Sequence, residues 1–307
     1  MPNRPRRRPG IPNALTPRQK HLVDTTLRPA SAADAAECGR ICYEAFRHIA
    51  AAHGFAPDFP TAEFAQAALG MMLEQSTVTG IVAERDGCII GSGLFSDGGA
   101  IAGVGPISVD PSTQDDHIGR RIMERLLELC AERHFVGVRL VQAAYHSRSM
   151  ALYAKLGFAL REPLVCLQGA PLGLSLPGFD VRAAIDLDIE ACDAVCFRIH
   201  GHTRHIELSE AIAQQTASVV ERHGRITGYM TSLGFVGHAA AESTPDLQAL
   251  IGAAPHIVGP GFLLPSRNAA LFQWCLAHGL RVTQPLSLMT LGMYANPTGA
   301  YLPSVLY

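Results

Sequence analysis

Apolar and polar positions alternate along the chain in a way that lays out its elements. A short strand at Leu27-Arg28-Pro29-Ala30 runs into helix, and two strands of a hairpin fall at about 78–84 and 88–95. A further strand at about 101–109 feeds a helix at about 118–134. In that helix Ile118, Ile122, Met123, Leu126, Leu127 and Leu129 form one apolar face and charge occupies the other. A strand near 136–144, a helix near 148–156 and a strand near 158–166 complete the first half. Helices interleaved with strands in this order predict a mixed α/β sheet covered on both faces.

The pattern then repeats. Leu27-Arg28-Pro29-Ala30 followed by Asp34, Cys38 and Cys42 matches Val181-Arg182-Ala183-Ala184 followed by Asp188, Cys192 and Cys196, at an offset of 154. Val82-Ala83-Glu84-Arg85-Asp86-Gly87 matches Val219-Val220-Glu221-Arg222-His223-Gly224 at an offset of 137. Ser147-Arg148 and Ala151-Leu152-Tyr153 match Ser266-Arg267 and Ala270-Leu271-Phe272 at an offset of 119. Three matches in one order predict two copies of one domain, the first carrying 17 extra residues between its first helix and its hairpin. Gly169, Pro171, Gly173, Pro177 and Gly178, in a stretch without charge, mark the join. The expected division is a basic leader over 1–24, a first domain over 25–167, a linker over 168–178 and a second domain over 179–307.

Composition narrows the functional classes. Of 307 residues, 48% are hydrophobic and 17% charged, enough to build packed cores. Arg4, Arg6, Arg7, Arg8, Arg18 and Lys20 stand in the first twenty residues without an acid, so the rest carries −8 against −2 for the whole chain. An acidic body argues against a nucleic-acid binder. No apolar run reaches the roughly 18 residues of a membrane span, and a cytoplasmic location is expected. The eight cysteines lack a disulfide or zinc spacing. Cys38 with Cys42, and Cys192 with Cys196, read as buried thiols on helix faces, and no metal is expected.

The segment Ile107-Ser108-Val109-Asp110-Pro111-Ser112-Thr113-Gln114-Asp115-Asp116-His117-Ile118-Gly119-Arg120-Arg121 joins a buried strand to a helix. Such a turn presents unpaired backbone N–H groups and the positive end of a helix dipole, which suit a pyrophosphate. Arg120 and Arg121 in the first turn oppose the dipole and make sense beside an anion. Downstream lies His146-Ser147-Arg148-Ser149-Met150-Ala151-Leu152-Tyr153-Ala154-Lys155-Leu156-Gly157-Phe158.

Together these segments resemble the GNAT superfamily of N-acetyltransferases, in which Gln/Arg-x-x-Gly-x-Gly/Ala holds the pyrophosphate of acetyl-CoA. Gln114, Ile118 and Gly119 match that pattern. Leu152, Tyr153, Lys155, Gly157 and Phe158 match the family's downstream motif. The resemblance covers about 25–168, and more weakly 178–291 through the repeat. It implies an α/β fold of two GNAT-like domains, each a mixed, mostly antiparallel twisted sheet flanked by helices.

It also implies a site. Acetyl-CoA would lie against the main chain of Ile107 and Val109 and the loop of Gln114, His117, Ile118, Gly119, Arg120 and Arg121. Tyr153 would protonate the departing thiolate, and His146 would serve as base. His117 departs from the family glycine, and Asp115 and Asp116 place two carboxylates beside the expected pyrophosphate. The extra residues, around His48–Glu63, read as a lid over an acceptor pocket, with His53, Asp58 and Phe59 as substrate contacts.

The second copy reads as silent. Its loop position holds Glu242-Ser243-Thr244-Pro245-Asp246-Leu247, an ordinary capped helix start, and Phe272 replaces Tyr153. It is expected to wall the acceptor cleft, with His200, His202, Arg204 and His205 either facing that cleft or clustered on the surface. The apolar segment Gly292–Tyr307 is expected to dock on the body or to enter a cleft. The leading reading is an acyl-CoA-dependent N-acetyltransferase that acts by direct attack of a small-molecule amine. The alternative is a non-catalytic protein that binds CoA or a metabolite, or serves as a scaffold. The sequence leaves open whether the protein is a homodimer.

Overall fold

The computed structural model describes residues 25–113 and 116–307; the basic leader, Gln114 and Asp115 lie outside them. The first copy runs β1 (Thr26–Pro29), α1 (Ala35–Ala52), α2 (Ala62–Glu74), β2 (Val78–Arg85), β3 (Cys88–Asp97), β4 (Ile101–Val109), α3 (Ile118–Glu132), β5 (Gly137–Ala143), α4 (Ser147–Lys155) and β6 (Ala159–Gln168). The second runs β7 (Asp180–Ala183), α5 (Ile189–His200), α6 (His205–Ala213), β8 (Ser218–Arg222), β9 (Arg225–Met230), β10 (Ala239–Ala241), α7 (Thr244–Ala253), β11 (Phe262–Pro265), α8 (Ala269–Ala277), β12 (Arg281–Gly292) and β13 (Ala300–Leu302). Up to β12 the two orders are the same, as the repeat predicts.

The likeness extends to side chains. Arg28 bridges Asp34 at 2.9 Å and Glu84 at 2.8 Å, and Arg182 bridges Asp188 at 2.6 Å and Glu221 at 2.6 Å. Asp34 also accepts the Ser31 N–H, and Asp188 accepts that of Ile185, so each carboxylate ties strand, turn and helix together. Hydrogen bonds from Arg28 hold the Asp34 carboxyl down at about 2. Both hairpins close through two residues of positive φ, Asp86-Gly87 and His223-Gly224, the turn that matches strand twist. The four cysteines of the repeat, Cys38, Cys42, Cys192 and Cys196, are buried free thiols.

The extra residues of the first copy are spread over three places. α1 has 18 residues against 12 in α5, α2 has 13 against 9 in α6, and the loop between α1 and α2 is longer than its counterpart.

The sheets do not follow the division of the chain. One has eight strands in the order β1-β2-β3-β4-β5-β12-β6-β11, the other five in the order β13-β10-β9-β8-β7. β12, from the second copy, lies antiparallel between β5 and β6 of the first, with Leu288 opposite Val141 and Leu286 opposite Leu164. β6 in turn carries β11 on its other edge. The copies have exchanged their last strands, and Met289 of β12 packs into the core under α3 and α4 with Met123, Leu126, Leu140 and Phe158. Burial of a side chain of this size contributes about 1.5–3 kcal/mol, which the first copy draws from the second. Among the described residues no helix is long and apolar enough to cross a membrane.

Candidate functional site

β4 and β5 pair, in parallel, only where Ile101–Gly103 meets Gly137–Arg139. Beyond that point β4 keeps β3 on one edge, with Ile107 opposite Gly93 and Val109 opposite Gly91, and among the described residues has no strand on the other. A V-shaped gap opens, lined by main-chain groups of β4 that still need partners. In the second copy the same edge is taken. Val109 and Ala241 are equivalent, since both lie opposite the repeat glycine, Gly91 or Gly228. Ala239–Ala241 pairs on its far side with Leu302, Tyr301 and Ala300 of β13. The apolar tail therefore docks on the body, and it does so in the cleft that stays open in the first copy.

α3 begins at the mouth of that gap. Gly93 lets the helix come down onto β3, for a Cβ there would stand 2.5 Å from Ile122. The first N–H groups of α3 have no partner within the helix, and its dipole points its positive end at the opening. His117 takes the helix-cap position at φ +59°, a left-handed conformation uncommon outside glycine. Among the described residues a Cβ on Gly119 would meet only Val109, at 3.5 Å. The Ile118 side chain is buried in the core, so only its backbone is available to a ligand.

Charges at this mouth are arranged differently from the sequence expectation. Asp116 is bound by Arg85 of β2 at 3.0 Å, both largely buried, so its charge is neutralised by the hairpin. Arg121 donates to the Thr25 carbonyl at 2.9 Å, and Arg120 pairs with Glu124 at 2.8 Å on the exposed face of α3. Gln114 lies outside the described residues.

Tyr153 is buried against Phe158, ring centroids 6.1 Å apart, in the core that also holds Val104 of β4 and Leu140 of β5. Among the described residues its hydroxyl makes no hydrogen bond, and burial pushes it up to about 12. It is therefore protonated at neutral pH and can act only as a donor. His146 caps α4 and is half-buried; burial, then Arg148 and His53, hold its pKa below the usual value. It is neutral and can accept a proton.

On the opposite face the α1–α2 loop reaches the end of β5. Phe55 stacks on Tyr145 with centroids 4.4 Å apart and planes at 8°, and the His53 ring lies 5.2 Å from Tyr145. Tyr145 donates to Oε1 of Gln284 at 3.1 Å, and Nε2 of Gln284 donates to Asp58 at 2.7 Å. Burial raises the Asp58 carboxyl above the usual range, partly offset by that hydrogen bond. The structure thus gathers His53 and Asp58 with Tyr145. Phe59 turns instead to Phe46 and Phe64 and to the cluster of Cys38, Cys42 and Leu69, where it packs the loop down. Sequence reasoning missed Tyr145 and Gln284. The one signal for Gln284 was an amide among the apolar residues of its strand.

His200, His202 and Arg204 are buried and not clustered on the surface; of the four only His205 is exposed. Nε2 of His202 lies 2.9 Å from the Tyr307 hydroxyl, and Arg204 and Arg139 stack on the Tyr307 ring at 4.5 and 4.0 Å. The tail draws this cluster into the seam between copies.

Residues 43–158 match the family model described as Acetyltransferase (GNAT) family. An IAA acetyltransferase of Azospirillum brasilense is 31% identical over 96 residues, 31% of this chain and 63% of that protein. The chain thus spans less than two thirds of that relative's length. A putative acetyltransferase from Pyrococcus horikoshii shares the fold over 98% of this chain and 97% of its own, at a TM-score of 0.69 and 16% identity. A tandem GNAT protein from the clavulanic acid biosynthesis pathway does so over 87% and 98%, at 0.54 and 13% identity.

Proposed function

We propose, from the premise that residues 43–158 form a GNAT acetyltransferase domain, that the protein is an N-acetyltransferase moving the acetyl group of acetyl-CoA directly onto a small-molecule amine. The observation that carries this reading is the unpaired edge of β4 leading to the N-terminus of α3. A pantetheine arm can add to that edge through the main chain of Ile107 and Val109, as a strand would. Its pyrophosphate then meets the backbone N–H groups of Ile118, Gly119 and Arg120. The charge of Asp116 is already met by Arg85, which removes one of the two repulsions the sequence raised.

Acetyl transfer joins the amine nitrogen to the carbonyl carbon and breaks the bond to sulfur. The nitrogen gives up its proton to His146, and the departing thiolate takes one from Tyr153. The acceptor enters from the face of the α1–α2 loop, past His53 and Asp58.

Calorimetric titration with acetyl-CoA tests the site, alongside Gly119→Glu, which places a carboxylate at the helix mouth. Micromolar binding in the parent chain, lost in the variant, is expected. The left-handed His117 favours a second reading, in which its side chain narrows the phosphate path and the protein binds without catalysis. Binding of acetyl-CoA without release of CoA thiol in the presence of any amine would select it.

A further inference from the structure

Several carboxylates with limited solvent access in this molecule have a basic partner: Asp34 in Arg28, Asp116 in Arg85, Glu162 in Arg267, Asp188 in Arg182, Glu207 in Arg204 and Asp193 in His205. Asp58 has none among the described residues. It hangs from the loop between α1 and α2 and takes one hydrogen bond, from Gln284. The titratable groups within reach of its charge are Cys42 of α1, Tyr145 after β5 and Cys166 of β6. Burial first, and Asp58 second for Cys42 and Tyr145, keep these protonated; burial likewise dominates at Cys166. Beside Tyr145, His146 is held neutral by burial. Gln284 links the Asp58 carboxyl to the hydroxyl of Tyr145, whose ring carries Phe55 and His53 against it. A carboxylate out of water without a cation is costly, and flat aromatic faces favour a cation over a neutral group.

We propose that Asp58 is the specificity-determining counter-ion for the acceptor's ammonium group, and that Gln284, delivered by the exchanged strand β12, is the residue that positions it. The inference rests on the acetyltransferase reading only for the word acceptor. The substrate class is an amine that is cationic in water, with an apolar body that lies along Tyr145 and Phe55. Gln284 suits the role because its amide donates to the carboxylate while accepting from Tyr145, which fixes Asp58 without neutralising it. The second copy, silent as a catalyst, thereby completes the pocket of the first.

The test is calorimetric titration of the full chain, saturated with CoA, with phenethylamine and butylamine and with the matching alcohols. The parent chain is expected to prefer each amine by about tenfold or more. Asp58→Asn, of the same shape, should abolish the preference and leave CoA binding unchanged. Amine binding should fade as pH drops through the raised carboxyl pKa, because only the carboxylate attracts the cation. Gln284→Met removes the donor that lowers that pKa, so the fading should begin at higher pH, a shift that a merely structural role would not produce. No amine preference in the parent chain, or a preference that survives Asp58→Asn, would overturn the assignment. Loss of CoA binding with amine preference intact would instead strike the acetyltransferase reading alone.

Discussion

Tyr153 in α4 and His146 at its N-terminal cap, seven positions apart, are both shaped by burial, and the roles proposed for them follow from it. Both are displaced from their ordinary pKa by loss of solvent, but the displacement favours the neutral form of each. A neutral phenol can give a proton and a neutral imidazole can take one. Tyr153→Phe removes the donor and almost no volume. Turnover should fall by about two orders of magnitude or more, while calorimetry finds acetyl-CoA binding unchanged. An unaltered rate would take Tyr153 out of the chemistry. The motif is what singles out both residues in the sequence, since each lies within a few positions of the Leu-Tyr landmark, and the variant measures the role proposed for Tyr153. Phe59 was misjudged because an aromatic residue in a loop reads alike whether it faces a pocket or, as here, Phe46 and Phe64.

Among the elements, β4 and β10 are the same strand with different fates. Both keep a hairpin neighbour on one edge, and the other edge is open in β4 and filled by β13 in β10. A filled edge has its N–H and C=O groups satisfied and offers nothing to a pantetheine. The capped start of α7, where Ser243 takes the Asp246 N–H, likewise leaves fewer free donors for phosphate. Acetyl-CoA should therefore bind with a stoichiometry of one per chain. A second site of similar affinity in the titration would show that β13 leaves its groove. The helix start was readable from Ser243 and Pro245, whereas the plug was not, because Ala300–Leu302 carries no pattern that names its partner strand.

For the whole molecule, strand exchange makes the two copies one folding unit. Residues 1–168 alone would lack β12, leaving β5 and β6 without their shared neighbour and the core under α4 without Met289. They would also lack Gln284 beside Asp58. Expressed by themselves they should aggregate or unfold without a cooperative transition, and the full chain should melt cooperatively with its acetyl-CoA site intact. A soluble fragment that binds acetyl-CoA and keeps the parent's choice of amine would refute both the closure and the shared pocket.

The amino-acid order by itself determined the repeat, the elements of each copy, the hairpin turns and the loop-and-helix motif. Those features depend on residues close in sequence: an apolar period, an Asp86-Gly87 turn, an arginine six positions from its carboxylate. Tertiary structure decided which strand lies beside which, and with it the site. β6 and β12 descend from equivalent positions, so local pattern cannot tell whether each closes its own sheet or the other's. Packing chose exchange, and it brought Gln284 to Asp58 across 226 positions of chain. It also gave Asp116 to Arg85 and put Tyr307 between Arg139 and Arg204. Charges and edges are settled by what burial places next to them, and burial is a property of the assembled sheet.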